Sequence, residues 1–272
     1  MKIDGPLLLV GCGKMGGALL DGWLEQGLPA GQVTIVEPAA EIVERFVGAG
    51  CRHLQDGVAL SPDLKPAVVL LAVKPQYMDA ALQPLQRFAR RGTLFLSIAA
   101  GRTLASFAKR LGAELEMVRA MPNTPAAVGR GMSVLVAGER ATAEQRRLAE
   151  TLMAAVGETA WVEDESLLDV VTAVSGGGPA YVFLLAEVLA EAGRANGLSA
   201  ELAARLARVT VAGSGELLHR ASESPAELRR NVTSPAGTTL EALKVLMAED
   251  ALQPLMTRAI AAATRRSREL SG

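Results

Sequence analysis

From Leu7 to about Val162 the chain repeats one pattern, a short continuous apolar run followed in several places by a stretch with helical spacing. The runs read LLLV, VTIVE, AVVLLAV, TLFLSIA, LEMVRAM, MSVLVA and ETAWV. A strand that is apolar at every position must be buried on both faces. Helical crossovers between parallel strands bury it that way, by covering both sides of one sheet. Residues 1–163 are therefore expected to form a doubly wound, mostly parallel α/β sheet.

After about Glu163 the apolar runs stop and helix boundaries take over. Asp164 is placed to cap a helix, Pro179 suits a first helical position, and Gly197 suits a carboxyl-terminal stop. Ser199 can start the next helix, and Ser224-Pro225-Ala226-Glu227 has the form of a capping box. Thr238-Thr239-Leu240-Glu241 repeats that form, which predicts Thr238 as a helix cap. Residues 164–272 are expected to be a second, all-helical domain. A length of 272 residues, half of them apolar, is enough for two cores.

Charge and cysteine usage narrow the function classes. With 28 basic and 29 acidic residues the net charge is −1, and no basic cluster forms a nucleic-acid or membrane footprint. Apolar runs such as Ala67 to Val73 are too short to span a bilayer. Cys12 and Cys51 do not make a disulfide framework, and His53 and His219 lack metal-ligand spacing, so no structural metal is expected. Met1 leads into the first strand without the long apolar region of a signal peptide, which makes the cytoplasm the expected location.

The first chemical motif is VGCGKMGG. Gly11, Gly13 and Gly16 follow a strand and precede the helical pattern GALLDGWLEQG, the setting of a dinucleotide fingerprint in a Rossmann-like domain. Gly11 permits the tight turn, Gly13 lets a pyrophosphate approach the backbone, and Gly16 lets the helix pack close to the strand. Lys14 and Met15 lie within the same loop. Glu37 ends the second strand about 20 residues later, where a carboxylate accepts hydrogen bonds from the adenosine ribose and repels a 2′-phosphate. This favours NADH over NADPH, although Arg45 is placed to swing toward a phosphate. Ligands of such sheets sit at the carboxyl ends of the strands. Two further loops there, Ala72-Val73-Lys74-Pro75 and Met121-Pro122-Asn123, join the cofactor-binding candidates. Taken singly, a strand-end lysine and turn-forming prolines need no ligand.

Five motifs in order, GCGKMGGAL, LLAVKPQ, RAMPNTPA, AVSGGGPAYVF and NVTSPAGTTLEAL, resemble the pyrroline-5-carboxylate reductases over essentially residues 7 to 268. The resemblance implies a Rossmann domain followed by a helical domain that interlocks with a second copy, giving dimers often assembled into decamers. It implies NAD(P)H-dependent reduction of 1-pyrroline-5-carboxylate to L-proline, the last step of proline biosynthesis. In the family's SPGGTT-like loop, backbone N–H groups bind the substrate carboxylate, and the last threonine faces the ring nitrogen. Carried over by position, Ser234, Gly237 and Thr238 would hold the carboxylate and Thr239 would sit by the nitrogen. A helix start with Gly and Thr and no acidic neighbour agrees, since it aims N–H donors at an anion. The same residues also have a reading without any ligand, in which Thr238 caps, Pro235 breaks and Gly237 turns.

Two positions depart from the family pattern. Ala236 stands where Gly is common, a change without consequence only if φ there is negative, and Gly177 stands where Ser is usual. A cyclic iminium can bring its own proton, so no dedicated acid is required, and Thr239 is expected to orient the nitrogen. A related imine reductase or β-hydroxyacid dehydrogenase shares the domain plan. The latter usually places a catalytic Lys in its second domain, where this chain has only Lys244 beyond the loop. A dinucleotide-binding regulatory protein without turnover is the alternative from another class.

Overall fold

The computed structural model describes residues 1–271. The first half runs β1 (Leu7–Val10), α1 (Lys14–Glu25), β2 (Val33–Val36), α2 (Ala40–Gly48), β3 (Arg52–Leu54), β4 (Val68–Leu71), α3 (Met78–Leu82), β5 (Leu94–Ser97), α4 (Leu104–Leu111), β6 (Met117–Met121), β7 (Gly131–Ala137), α5 (Ala143–Ala154) and β8 (Gly157–Trp161). Helices follow: α6 (Leu167–Val171), a π-helical turn (Thr172–Gly176), α7 (Gly178–Ala195), α8 (Ala200–Arg220), α9 (Pro225–Asn231), α10 (Thr238–Leu246) and α11 (Leu252–Ser271). Residues 1–176 with 263–271 form one compact unit, and Gly177–Ala262 form a second.

The first unit holds one eight-stranded sheet in the order β3-β2-β1-β4-β5-β6-β7-β8. All neighbouring pairs are parallel except β6 with β7. Leu7 is in register with both Val33 and Val68, so β1 lies between β2 and β4, and the winding reverses there. This is the doubly wound sheet that continuous apolar strands require. Leu7 and Leu9 pack with Leu19, Leu20, Trp23 and Leu152 on one face. Leu8 and Val10 pack with Leu85, Phe88 and Phe107 on the other. Each such side chain contributes about 1.5–3 kcal/mol of transfer free energy, so the strands are fixed from both sides. The buried Trp23 Nε1–H is satisfied by the Leu152 carbonyl at 2.8 Å, tying α1 to α5.

β3 has no counterpart among the apolar runs. It is three residues long, and only Leu54 of its Arg-His-Leu is aliphatic. His53 nevertheless has a structural role, its Nε2 lying 2.8 Å from the Glu37 carbonyl.

Most expected helix boundaries are present. Ser199 caps α8, Ser224 and Glu227 form a capping box on α9, and α7 ends just before Gly197, whose φ is +98°. Two expected caps are corrected. The Asp164 carboxylate accepts from the Ser166 N–H and hydroxyl, each at 2.8 Å, so it shapes a turn ahead of α6; these hydrogen bonds hold its carboxyl below the usual range. Thr238 is not a cap, because α10 starts on Thr238 itself with extended Gly237 in the cap position. The turn closed by the Gly237 N–H on the Ser234 carbonyl, at 3.1 Å, brings the helix start forward by one residue. Glu241 then pairs with Lys244 at 2.6 Å instead of reaching back.

The chain leaving β8 is pinned to the first unit. Arg119 of β6 forms an ion pair with Glu165, whose carboxylate also accepts from the Leu104 N–H at 2.7 Å. Asp169 accepts from the Ser267 hydroxyl at 2.6 Å.

In the second unit α7 packs against α8, and a groove of about 1020 Å³ runs between them. Phe183, Leu184 and Leu185 of α7 are more than half exposed. The helical stretch Leu167–Ala195 contains an 18-residue window with a mean hydropathy of 1.4, 6% of it buried, and is long and apolar enough to cross a membrane by length and composition. Short apolar runs did not reveal it, because Asp169 and Ser175-Gly176-Gly177-Gly178-Pro179 interrupt the apolar residues.

Candidate active site

The carboxyl ends of β1 and β4 meet where the sheet reverses its winding, and the glycine loop lies there. Gly11 has φ +89°, and a Cβ on it would lie 2.9 Å from the Ala72 carbonyl group and from Val73 Cγ1. A Cβ on Gly16 would lie 2.5 Å from the Gly11 carbonyl oxygen, so the absent side chain is what lets α1 start against the loop. Gly13 has nothing within 4 Å of its Cβ position, which leaves its backbone open to a ligand. Gly13 also caps α1 without a side-chain hydrogen bond, so the helix presents unsatisfied N–H groups and its positive dipole end. Backbone that only glycine allows, open space and uncapped N–H donors together fit a dinucleotide pyrophosphate.

Glu37 extends beyond β2 onto the same loop. Its carboxylate accepts from the Cys12 N–H at 2.8 Å and from the Ala39 N–H at 3.2 Å, so the glycine loop itself positions it. Burial, and then the charge of Glu37, push the Cys12 thiol up to about 12, which leaves it protonated and unreactive beneath the loop. Arg45 is held on the α1 side by Asp21 at 2.6 Å and stacks on Phe46.

Ala72 is drawn to β1 by its N–H on the Val10 carbonyl at 2.8 Å, which sets Val73, Lys74 and Pro75 beside the glycine loop. Lys74, extended as a residue before proline must be, lines with Gly13, Lys14 and Arg45 a groove of about 870 Å³. Met15 packs partly buried against the core beneath the loop.

Met121 ends β6, and Pro122 and Asn123 follow it. Asn123 is an internal tie: its Oδ1 accepts from the Met132 N–H at 2.9 Å and its Nδ2 donates to the Ser175 hydroxyl at 3.1 Å. Met121 presses against Gly176, where a Cβ would lie 2.6 Å from Met121 Cε. Sequence reasoning missed Ser175, Arg119 and Glu165, polar partners far from one another along the chain.

The second unit carries the loop at the start of α10. Ser234 Oγ would lie 2.2 Å from a Cβ on Gly237, so these two residues are in intimate contact and a side chain at 237 would displace the hydroxyl. The Thr238 and Thr239 N–H groups make no hydrogen bond among the described residues, and both residues are exposed. Because Glu241 is engaged by Lys244, the helix start offers N–H donors and hydroxyls with no carboxylate reaching back. Ala236 has φ +57°, so the condition under which its replacement of Gly is without consequence is not met.

Residues 165–270 match a family model described as pyrroline-5-carboxylate reductase dimerisation, and residues 7–101 match one described as NADP oxidoreductase coenzyme F420-dependent. The pyrroline-5-carboxylate reductase of Pseudomonas aeruginosa is 40% identical over 97% of this chain and 96% of its own length. That of Pisum sativum is 34% identical over 96% and 94%. A solved pyrroline-5-carboxylate reductase from Coxiella burnetii superposes with a TM-score of 0.91 at 34% identity, covering 99% of this chain and all of its own. The Plasmodium falciparum pyrroline carboxylate reductase, solved with NADP bound, superposes with a TM-score of 0.81 at 26% identity over 99% of each chain. With relatives of this identity along nearly its whole length, and a glycine loop and SPAGTT turn built as described, the chain belongs to the pyrroline-5-carboxylate reductase family.

Proposed function

We propose that the protein reduces 1-pyrroline-5-carboxylate to L-proline with NADH or NADPH, the last step of proline biosynthesis, in the cytoplasm. The observation that carries the reading is the α10 start, where free N–H groups of Thr238 and Thr239 stand with Ser234 and Gly237 and no acid opposes an incoming carboxylate. Residues 1–163 hold the dinucleotide through Gly11, Gly13, Lys14, Met15, Gly16, Glu37, the Ala72–Pro75 loop, Met121 and the backbone of Asn123. Residues 164–272 hold the substrate and the second copy. When bound, the reduced nicotinamide supplies hydride to the imine carbon.

Thr239 orients the ring nitrogen through its hydroxyl, and the substrate arrives protonated as the iminium, so no acidic residue is needed. Glu37 favours NADH, because its fixed carboxylate accepts from ribose hydroxyls and repels a 2′-phosphate.

The exposed face of α7 is read as the surface that a second copy covers, with five such dimers making the decamer that the family resemblance implies. Glu187, Glu191 and Arg194 line the α7–α8 groove, a charge pattern costly in lipid and ordinary at a protein interface. Neither nucleic acid nor membrane is a partner. Light scattering after size exclusion should give a dimer or a multiple of it; a monomer would refute this part.

The test of the activity is incubation with racemic pyrroline-5-carboxylate and each reduced cofactor in parallel. Cofactor oxidation and L-proline formation in equal amounts are expected. No oxidation of either cofactor by protein that binds them would favour the regulatory alternative.

A further inference from the structure

The turn before α10 carries a residue poorly suited to its shape. Ser234-Pro235-Ala236-Gly237 is closed by the Gly237 N–H on the Ser234 carbonyl at 3.1 Å, with Pro235 second and Ala236 third. Ala236 has φ +57° and is the one described non-glycine residue in the left-handed region. A β-turn with positive φ at its third residue is of type II, which selects Gly or Asn there, whereas Ala prefers type I with φ near −90°. The two types keep the closing hydrogen bond and the flanking chain direction and differ by turning over the peptide between the second and third residues. Among the described residues neither the Pro235 carbonyl nor the Ala236 N–H makes a hydrogen bond that would lock this peptide, and Ser234, Pro235 and Ala236 are exposed.

We propose that Ala236 is a positioning residue that sets the affinity for the substrate carboxylate by making the turn bistable. The loop binds in the left-handed form seen here, and a relaxed form with the Pro235–Ala236 peptide turned over competes with it in the free enzyme. The substrate must select the binding form. Its apparent affinity is scaled by the fraction of time the loop spends in the binding form, which lowers it about fivefold for the ordinary left-handed penalty of an alanine. The inference rests on the carboxylate reading of the loop. It adds that this chain binds its imine acid more weakly than its own fold allows.

The test uses the full-length enzyme with Ala236→Gly, Ala236→Asn and Ala236→Val. Gly and Asn, which accept positive φ, should lower KM for pyrroline-5-carboxylate by about three- to tenfold, with kcat and the dinucleotide KM within about twofold of the parent. Val should raise that KM; should Val fold poorly, the Gly and Asn pair alone decides. For 1-pyrroline, which has no carboxylate, the Gly and Asn variants should match the parent. A purely structural role would move the unfolding temperature and leave the substrate KM where it was, which would overturn the proposal, as would an effect on kcat alone. If the parent handles 1-pyrroline as well as the carboxylate-bearing substrate, the carboxylate reading itself fails. If the carboxylate matters and the variants match the parent, only the inference about Ala236 fails.

Discussion

Replacing Glu37 by Gln removes the charge and one of the two acceptor oxygens. The Gln oxygen can still accept from the Cys12 N–H, held at 2.8 Å in the parent, so the glycine loop keeps its anchor, while the longer bond from the Ala39 N–H at 3.2 Å is lost for both cofactors alike. Two terms change for the cofactors. Hydrogen bonds from ribose hydroxyls lose their charge assistance, which weakens NADH binding by about 1 kcal/mol. A 2′-phosphate a few ångströms away no longer meets a carboxylate, which at a solvent-facing site removes about 1–2 kcal/mol of repulsion. The terms move the two cofactors in opposite directions. The ratio of kcat/KM for NADH to that for NADPH should therefore fall by about thirty- to a hundredfold, each 1.4 kcal/mol being a factor of ten. Initial-rate kinetics with both cofactors at low salt measure it. Added salt should shrink the effect, because the repulsive part is screened. A ratio within twofold of the parent would show that the Glu37 carboxylate does not face the adenosine ribose, and would refute the reasoning.

Three further perturbations separate the parts of the site. Thr239→Ala should lower kcat about ten- to a hundredfold through lost orientation of the nitrogen while the dinucleotide dissociation constant stays unchanged, as fluorescence titration would report; equal loss in both would remove Thr239 from the substrate side. Gly16→Ala places a methyl 2.5 Å from the Gly11 carbonyl oxygen, so α1 or the loop must shift, and dinucleotide binding should weaken at least about tenfold with the circular dichroism spectrum retained. Cys12 in the folded protein keeps its proton up to about pH 12, whereas the unfolded chain releases it from about pH 9. The unfolded state then binds fewer protons, so this thiol contributes a loss of stability as pH rises between those values. At pH 8 the folded thiol is about a thousandfold less ionised than the unfolded one, and iodoacetamide should label Cys12 only after denaturation.

The parts of the molecule legible in the sequence are those set by local chemistry. Continuous apolar strands required a sheet covered on both faces, and Gly11, Gly13 and Gly16 occupy the turn, the open backbone and the close approach for which their spacing was read. Ser199 and Ser224 cap as their neighbours predict, because a cap is a matter of a few residues. What escaped depends on distant chain or on a single dihedral. β3 is held by pairing with β2, which three residues of mixed polarity do not announce. Arg119 with Glu165 and Asn123 with Ser175 are joined only by the fold. Thr238 read as a cap because Ser/Thr-x-x-Glu is a weak pattern, and the turn ahead of it moved the helix start by one residue. The sign of φ at Ala236 follows from the turn type, which Pro-Ala-Gly leaves open.

The central claim is hydride delivery to the imine carbon of a carboxylate-bearing ring. Its most direct test is turnover with nicotinamide deuterated at the transferable position, followed by mass spectrometry and NMR of the product. The account predicts L-proline carrying a single deuterium on the ring carbon that formed the C=N bond, with solvent hydrogen at nitrogen. Proline without that label, or oxidised cofactor without proline, would contradict it.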